Sequence, residues 1–552
     1  MNGAQFLCRL LEDHGIRRVF GLPGTQNSLL FCELRRSPIE IMVTTHEMSA
    51  GFAALGYSAT STVPAVMAII GGPGFSFAVT PLLEAKLDSI PLLCFVFVRK
   101  SHPDKTFHTQ QIDYGILAGS VCKEVIEPSS IMEFSSAVAQ AMTASVSGEP
   151  GPVLVIIDSG LLEVTVGDAT KGATPESNST QDERVVNEVA DRIRGAKTLL
   201  FCGRGSLDSA SEVVMLAERL GAPVLTSTSA RGVIPENHPL AIVCDLVPAN
   251  ELNRFIAGFD CVIALGIKFS ENSTRGFRLD ISPEKLVHID QASQVLSRNL
   301  RSRVHALMKV APFVQALLDM DLQSRPTGEQ ELSHWRESFR SLKGGQHEYC
   351  FQDLDPPTAA CFFERLRAAL PDDSILVTDA GRHQMEARKY YTSLAPHGLM
   401  VPVGFQSMGF AVSAAMGAKL AQPERTVSVI VGDGGFRISG LELAAAVRAK
   451  LGILVIVFND GYFGHIRRTQ LAYDGHECGV SVPAIDMEQF AHSIGAAYAY
   501  GPADLESVVG AAGERSVPTI LEIRLQDSVG RREKMQFRTK RLVKNALDHL
   551  RT

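Results

Sequence analysis

Few folds are open to a chain that contains the stretch SVIVGDGGFRISGLELAAAVRAKLGILVIVFNDGYFGHIRRTQ, beginning at Ser428. Residues 427–431 form a short, β-branched apolar run, as a parallel strand covered on both faces requires. The run stops at Gly432-Asp433-Gly434-Gly435. Ser439 followed three residues later by Glu442 has the form of a capping box, so a helix is expected over 441–451, closed by Gly452. Residues 453–458 read as the next buried strand, and Asn459-Asp460-Gly461 as a second turn. Both turns then lie at the carboxyl ends of parallel strands, where open α/β sheets take their ligands.

Asp433 and Asp460 are 27 residues apart, and each ends a strand, so neighbouring strands bring the two carboxylates together. Such a pair, with glycine backbone around it, suits a Mg²⁺ ion held jointly with substrate phosphates, because that ion keeps octahedral oxygen ligands and rarely has an all-protein cage. The glycines Gly432, Gly434 and Gly435 let the backbone approach a diphosphate and aim N–H groups at it. Alone, GDGG after a strand also describes an ordinary tight βα turn; the second acidic turn favours the ligand site. GDGG followed by NDGYFG resembles the metal and diphosphate motif of thiamine-diphosphate (ThDP) enzymes. The resemblance implies that Asp433, Asp460 and the carbonyl of Tyr462 ligate the metal. The family commonly has Asn where this chain has Asp460, a departure that adds negative charge.

Residues 1–165 alternate helical patterns with buried runs at 18–20, 39–43, 65–70, 92–98 and 153–157, the pattern of a parallel sheet covered on both faces. Glu47 follows the second run and opens the apolar, small-residue helix MSAGFAALGYSA. A Glu in a first helical turn also serves simply as a dipole partner. Gly21-Leu22-Pro23-Gly24, the His46-Glu47 pair, Gly72-Pro73-Gly74 and Asp88-Ser89-Ile90-Pro91 nevertheless stand in the order of the ThDP pyrimidine-binding domain. That resemblance implies that Glu47 bonds N1′ of the aminopyrimidine and sets its tautomer for proton exchange with C2. Gln110, 13 residues before Lys123, is similar to the Gln beside the reacting centre in acetohydroxyacid (acetolactate) synthases; a surface loop Gln is the plainer alternative. Thr109 and Phe77 replace that family's Phe and Asn. His102 and His108 read as solvated loop residues.

Residues 166–184 form a polar, aperiodic linker. A second α/β domain is expected over 185–345, with strands at 198–202, 223–226, 261–265 and 286–290. Cys202-Gly203-Arg204-Gly205-Ser206 is a weak dinucleotide signal. In the family the middle domain is Rossmann-like and binds FAD in some members. Here the run after His238-Pro239-Leu240 lacks Met-His-Gly, and Lys268-Phe269 replaces Arg-Phe, so FAD stays an option beside a domain that only packs. Trp335 lies in a polar second linker.

The third domain, 355–530, opens with a strand at 375–378. Asp379 to Gln384 then resembles a family segment whose Arg382 and His383 positions face the diphosphate. Gly404-Phe405-Gln406-Ser407-Met408-Gly409-Phe410 resembles the family loop in which Met408 wedges between the two cofactor rings and Gln406 lines the cofactor. A Met in such a run is also common in cores. Thr469 stands where biosynthetic synthases have Trp.

The expected architecture is thus α/β: three doubly wound parallel-sheet domains, namely a pyrimidine-binding domain, a Rossmann-like middle domain and a diphosphate-binding domain, with a basic tail over 531–552. A net charge of −7 gives no general attraction to nucleic acid, and no apolar run reaches the length of a membrane span. Ten cysteines without a C-x-x-C pair, and no signal-peptide pattern, lead to the expectation of a cytoplasmic protein. The resemblance implies ThDP- and Mg²⁺-dependent decarboxylation of a 2-oxo acid with transfer to a second carbonyl, in a homodimer or homotetramer whose sites lie between subunits. Alternatives are simple decarboxylation, flavin-linked oxidation, or ThDP binding without catalysis.

Overall fold

The computed structural model describes residues 1–99, 105, 108–110, 112–166, 183–343, 349–351, 353–473, 475–503 and 505–525. His102, most of the first linker and the basic tail lie outside them. Three six-stranded sheets, parallel throughout, follow one another along the chain.

In the first domain the strands are β1 (Arg18–Gly21), β2 (Glu40–Val43), β3 (Ala65–Ile70), β4 (Leu92–Val98), β5 (Glu124–Ile126) and β6 (Pro152–Asp158). Their order across the sheet is β2-β1-β3-β4-β6-β5. The middle domain has β7 (Thr198–Cys202), β8 (Val224–Thr226), β9 (Ala241–Ile242), β10 (Cys261–Leu265), β11 (Leu286–Asp290) and β12 (Val304–Leu307). Its order, β12-β11-β10-β7-β8-β9, is the doubly wound dinucleotide-domain order. The third domain has β13 (Ile375–Thr378), β14 (Leu399–Met400), β15 (Val427–Gly432), β16 (Leu454–Asn459), β17 (Ala497–Tyr500) and β18 (Thr519–Arg524). Its order, β14-β13-β15-β16-β18-β17, repeats that of the first domain strand for strand. The central strands are apolar and buried on both faces, as parallel strands between helices must be.

The first and third domains share one apolar core. Its centre is a crossing of two small-residue helices, Glu47–Ala59 and Phe410–Ala421. A Cβ on Gly56 would stand 2.0 Å from the carbonyl oxygen of Ala414, and one on Gly417 would stand 1.8 Å from that of Ala53. The backbones therefore touch, and Phe52 and Phe410 seal the crossing edge to face at 5.5 Å. The middle domain joins through a buried ionic cluster. Arg231 pairs with Glu236 (2.6 Å) and donates to the Arg388 carbonyl (3.0 Å), and Arg388 donates to Asp245 (2.8 Å).

Two sequence expectations change. The helix expected over 441–451 starts earlier, at Asp433: Asp433–Ser439 is helical, residues 440–442 form a 3₁₀ turn, and Leu443–Arg448 completes the unit. Ser439 makes no cap, and Glu442 turns to the first domain instead, because a buried carboxylate needs more donors than one helix end offers. The segment around Trp335 is no linker. It is the amphipathic helix Glu329–Lys343, with Trp335 packed against Phe255 (5.3 Å) and Phe339 (5.6 Å).

Candidate active site

The site is built where the carboxyl ends of the first and third sheets face each other. β15 and β16 are adjacent, with Gly432 opposite Phe458, so Asp433 and the Asp460 turn leave the sheet side by side. Asp433 Oδ2 accepts the Gly461 N–H (3.1 Å), and Asp460 Oδ1 accepts the Tyr462 N–H (3.0 Å). Burial, and then the charge of Asp460, raise Asp433 to a pKa of about 7. Two carboxylates held this way repel each other, and a divalent cation between them would remove the repulsion. Among the described residues no set of three or more His, Cys, Asp or Glu side chains gathers for a metal. An ion here would complete its shell with the Tyr462 carbonyl and oxygens of a ligand, which suits Mg²⁺.

Around this pair the space is shaped for a close-lying group. A Cβ on Gly434 would meet Phe463 at 2.6 Å and the Met408 methyl at 3.6 Å, and one on Gly435 would meet Asp379 at 2.0 Å. His383 lies against Gly432, buried, with its Nε2 lacking a partner. Burial lowers its pKa to about 4, so it stands neutral with one ring nitrogen to offer. Arg382 stacks on the Tyr349 ring at 3.9 Å, and its stem approaches Gly464 beside Asp460. The orphaned imidazole, the glycine cradle and the paired acids fit a diphosphate carried on a divalent ion.

Residues 403–411 form the next wall. Glu84, fully buried on the helix Pro73–Leu87, accepts the N–H groups of Phe405 (3.1 Å) and Ser407 (3.0 Å). Asp88 accepts those of Val403 (3.2 Å) and Gly404 (2.7 Å). Asp379 takes those of Gly409, Phe410 and Ala411 at 2.9, 2.9 and 3.3 Å. Burial raises Asp379 to about 6 against the pull of these donors. The chain between them puts Gln406 at φ +59° and leaves Met408 37% exposed above Gly434.

Glu47 heads its helix directly after His46, whose ring accepts the Met48 N–H (3.1 Å) and lies tilted against the Phe77 ring at 4.4 Å. Its carboxylate lies over Gly74, where a Cβ would come within 3.2 Å of Oε1. The neighbouring Met48 reaches Gly409. Glu442 accepts the Thr45 N–H at 3.1 Å and the Thr45 hydroxyl. Gln110 adopts φ +63°, rests on Gly72 and accepts from Gln26 (2.7 Å), at the same end of the first sheet. Lys123 turns away, donating to the Ala144 (2.6 Å) and Ser147 carbonyls. His108 bonds the Lys105 carbonyl in its own loop (2.8 Å).

Glu47 is thus carried on the first domain, and Met408, Asp433 and Asp460 on the third. Sequence reasoning missed Glu84 and Tyr349 and gave Glu442 only a capping role, since the two acids act on residues distant in the chain and Tyr349 through a ring stacked on a guanidinium that no local motif marks. In the loop after β7 the Gly203 and Gly205 N–H groups donate to the Leu265 (2.8 Å) and Gly266 (3.0 Å) carbonyls.

Residues 1–115 match the N-terminal TPP binding domain of thiamine pyrophosphate enzymes, 186–317 the central domain and 379–523 the C-terminal TPP binding domain. The chain is 28% identical to the acetolactate synthase isozyme 1 large subunit of Escherichia coli, over 87% of this chain and 84% of that protein. It is 28% identical to a probable 2-ketoarginine decarboxylase of Pseudomonas aeruginosa, over 95% and 94%. To the acetolactate synthase large subunit of Mycobacterium tuberculosis it is 29% identical, over 85% and 78%. With all three domains matched in order, the chain belongs to the thiamine pyrophosphate enzyme family and is a ThDP-dependent enzyme of the acetolactate synthase-like type.

Proposed function

We propose that this chain, with ThDP and Mg²⁺, decarboxylates a small 2-oxo acid of the pyruvate kind and joins the remaining fragment to a second carbonyl compound. The observation that supports this most is the meeting of the Glu47 helix with the Met408–Gly409 turn beside Asp433 and Gly434. When bound, ThDP supplies a carbon nucleophile and an electron sink for the pair left by CO₂. Glu47 holds the proton at N1′ of the aminopyrimidine and so sets which tautomer faces the reacting carbon. Met408, standing over Gly434, would pack against the cofactor's rings and hold its reacting end in place. Asp433, Asp460 and the Tyr462 carbonyl hold Mg²⁺, while Arg382, His383 and Gln406 line the diphosphate and Gln110 stands at the reacting end. A homodimer or homotetramer in the cytoplasm is part of this reading, which the ten free thiols suit.

The test is Glu47→Gln, with CO₂ release and ThDP binding followed separately. Decarboxylation should be lost and cofactor binding kept; full turnover defeats the assignment. Decarboxylation without ligation is the second reading, favoured by the nearly full-length likeness to a protein named as a decarboxylase and by Thr469 in place of Trp. Product analysis from pyruvate, with and without a carbonyl acceptor, separates the two.

A further inference from the structure

We propose that Glu84 is a positioning residue: it holds loop 403–408 so that Met408 stands over Gly434, and Glu442 does the reciprocal service for the segment that leads into Glu47. This rests on the reading that Glu47 and Met408 face each other across the cofactor.

Glu84 sits on the buried face of an apolar helix, Pro73–Leu87, with no exposed surface. A carboxylate there is expensive unless hydrogen-bonded, and an amide or aliphatic side chain would fill the same space. What the carboxylate adds is two acceptor oxygens with no donor of its own. Each takes one N–H from the opposite domain, 321 and 323 residues away in the chain. Asp88, one helical turn on, takes the two preceding N–H groups.

Loop 403–408 belongs to no strand or helix, so these N–H groups find no ladder partner within their own domain. The carboxylates replace it, and such charge-assisted bonds are short and directional. They leave Gln406 as the residue that takes the left-handed turn, and Met408 follows with its methyl over Gly434.

The opposite arm has the same form. Glu442, 2% exposed, belongs to the third domain and accepts from Thr45 through both oxygens, two residues before Glu47. Carboxylates therefore cross the boundary in both directions, each ending on backbone beside the other domain's cofactor-facing residue.

The experiment is hydrogen exchange of the full chain, read by mass spectrometry on wild type, Glu84→Gln and Glu442→Gln, together with kcat and KM. Glu84→Gln puts an NH₂ where one N–H must be accepted. Exchange over 403–408 should accelerate about tenfold or more, with amides 409–411 held by Asp379 unchanged. The kcat at saturating ThDP should fall about tenfold, with KM for the 2-oxo acid within about twofold. Unchanged exchange over 403–408 overturns the proposal, as does a lowered melting temperature with kcat retained, which marks a merely structural role. Glu442→Gln, read over 41–49, puts the same claim to the test should Glu84→Gln fail to fold. The exchange readout needs neither cofactor nor substrate, so it stands apart from the Glu47→Gln assay on which the functional reading depends.

Discussion

The first and third domains have the same strand order, and they meet through equivalent helices that follow their second strands. Identical topology has been given opposite chemistry. In the third domain the strand ends carry Asp379, Asp433 and Asp460, an arrangement for a cation and an anionic ligand. In the first, the same sheet end carries Glu47 among Gly72, Gly74, Phe77 and Gln110. The difference teaches that the fold supplies only a place, the carboxyl end of a parallel sheet, while side chains at those ends decide the function. The middle domain differs again: in the loop after β7 the Gly203 and Gly205 N–H groups donate to the Leu265 and Gly266 carbonyls of the neighbouring loop.

The largest effect should come from removing what is unique to the first domain. Glu47→Gln is expected to lower kcat by about 10²–10⁴-fold, the usual weight of a general acid–base group, with ThDP affinity by calorimetry unchanged. Equal loss of binding and turnover would show that Glu47 only shapes the pocket.

Next comes the equivalence of the two helices. Gly417→Val drives a side chain into the Ala53 carbonyl, and Gly56→Val does the same at Ala414. Each should destabilise at the upper end of about 1–3 kcal/mol, measured by thermal or urea unfolding. Comparable losses from the two variants support a symmetric crossing, and one tolerated substitution would break it.

A pH dependence separates the domains further. His383 titrates near 4 in the folded third domain against 6.5 when free. The unfolded chain therefore binds more protons between those values, and the stability that a neutral His383 contributes is lost as pH falls through that window. From pH 7 to pH 5 the loss should be about 2 kcal/mol, and His383→Gln should remove that slope in urea titrations. Asp379 acts oppositely: its folded pKa near 6 lies above the free value of 3.8, so its share of stability falls as pH rises between them. An unchanged slope in His383→Gln would mean that the imidazole is not held neutral.

The smallest change is Asp460→Asn, which brings the metal turn to the residue that the resembling family commonly has. Mg²⁺ affinity should shift by about tenfold or less, because an Asn amide oxygen can still ligate there, as the resembling family's Asn does, whereas Asp433→Asn alters the acid that the family motif retains and should weaken it more. Equal losses from both would make the two acids equivalent ligands.

Much of the fold is legible in the sequence. β3, β4, β7, β10, β11 and β13 run over the residues expected, because buried parallel strands are contiguous apolar runs that local sequence displays. β18 is not apparent there, since Glu522 interrupts its run; that side chain is buried and bonded to Asn459 (2.8 Å) and Tyr498 (2.8 Å). The edge strands β5, β9 and β14 are too short for any period to register. Ser439 and Glu442 look like a capping box, yet Glu442 bonds Thr45, 397 residues away. A local pattern loses there to a distant donor.

By itself the sequence determined the class of each domain, the turns that end its strands, and the residue types that chemistry at those turns requires. All of these are written in contiguous periods and spacings. Only the tertiary structure decided which carboxylates meet which backbone: that Glu84, Asp88 and Glu442 cross between domains, and that His383 is left with one nitrogen to offer. Hydrogen bonds between groups hundreds of residues apart depend on how the helices Glu47–Ala59 and Phe410–Ala421 cross, and no stretch of neighbouring residues encodes that crossing alone.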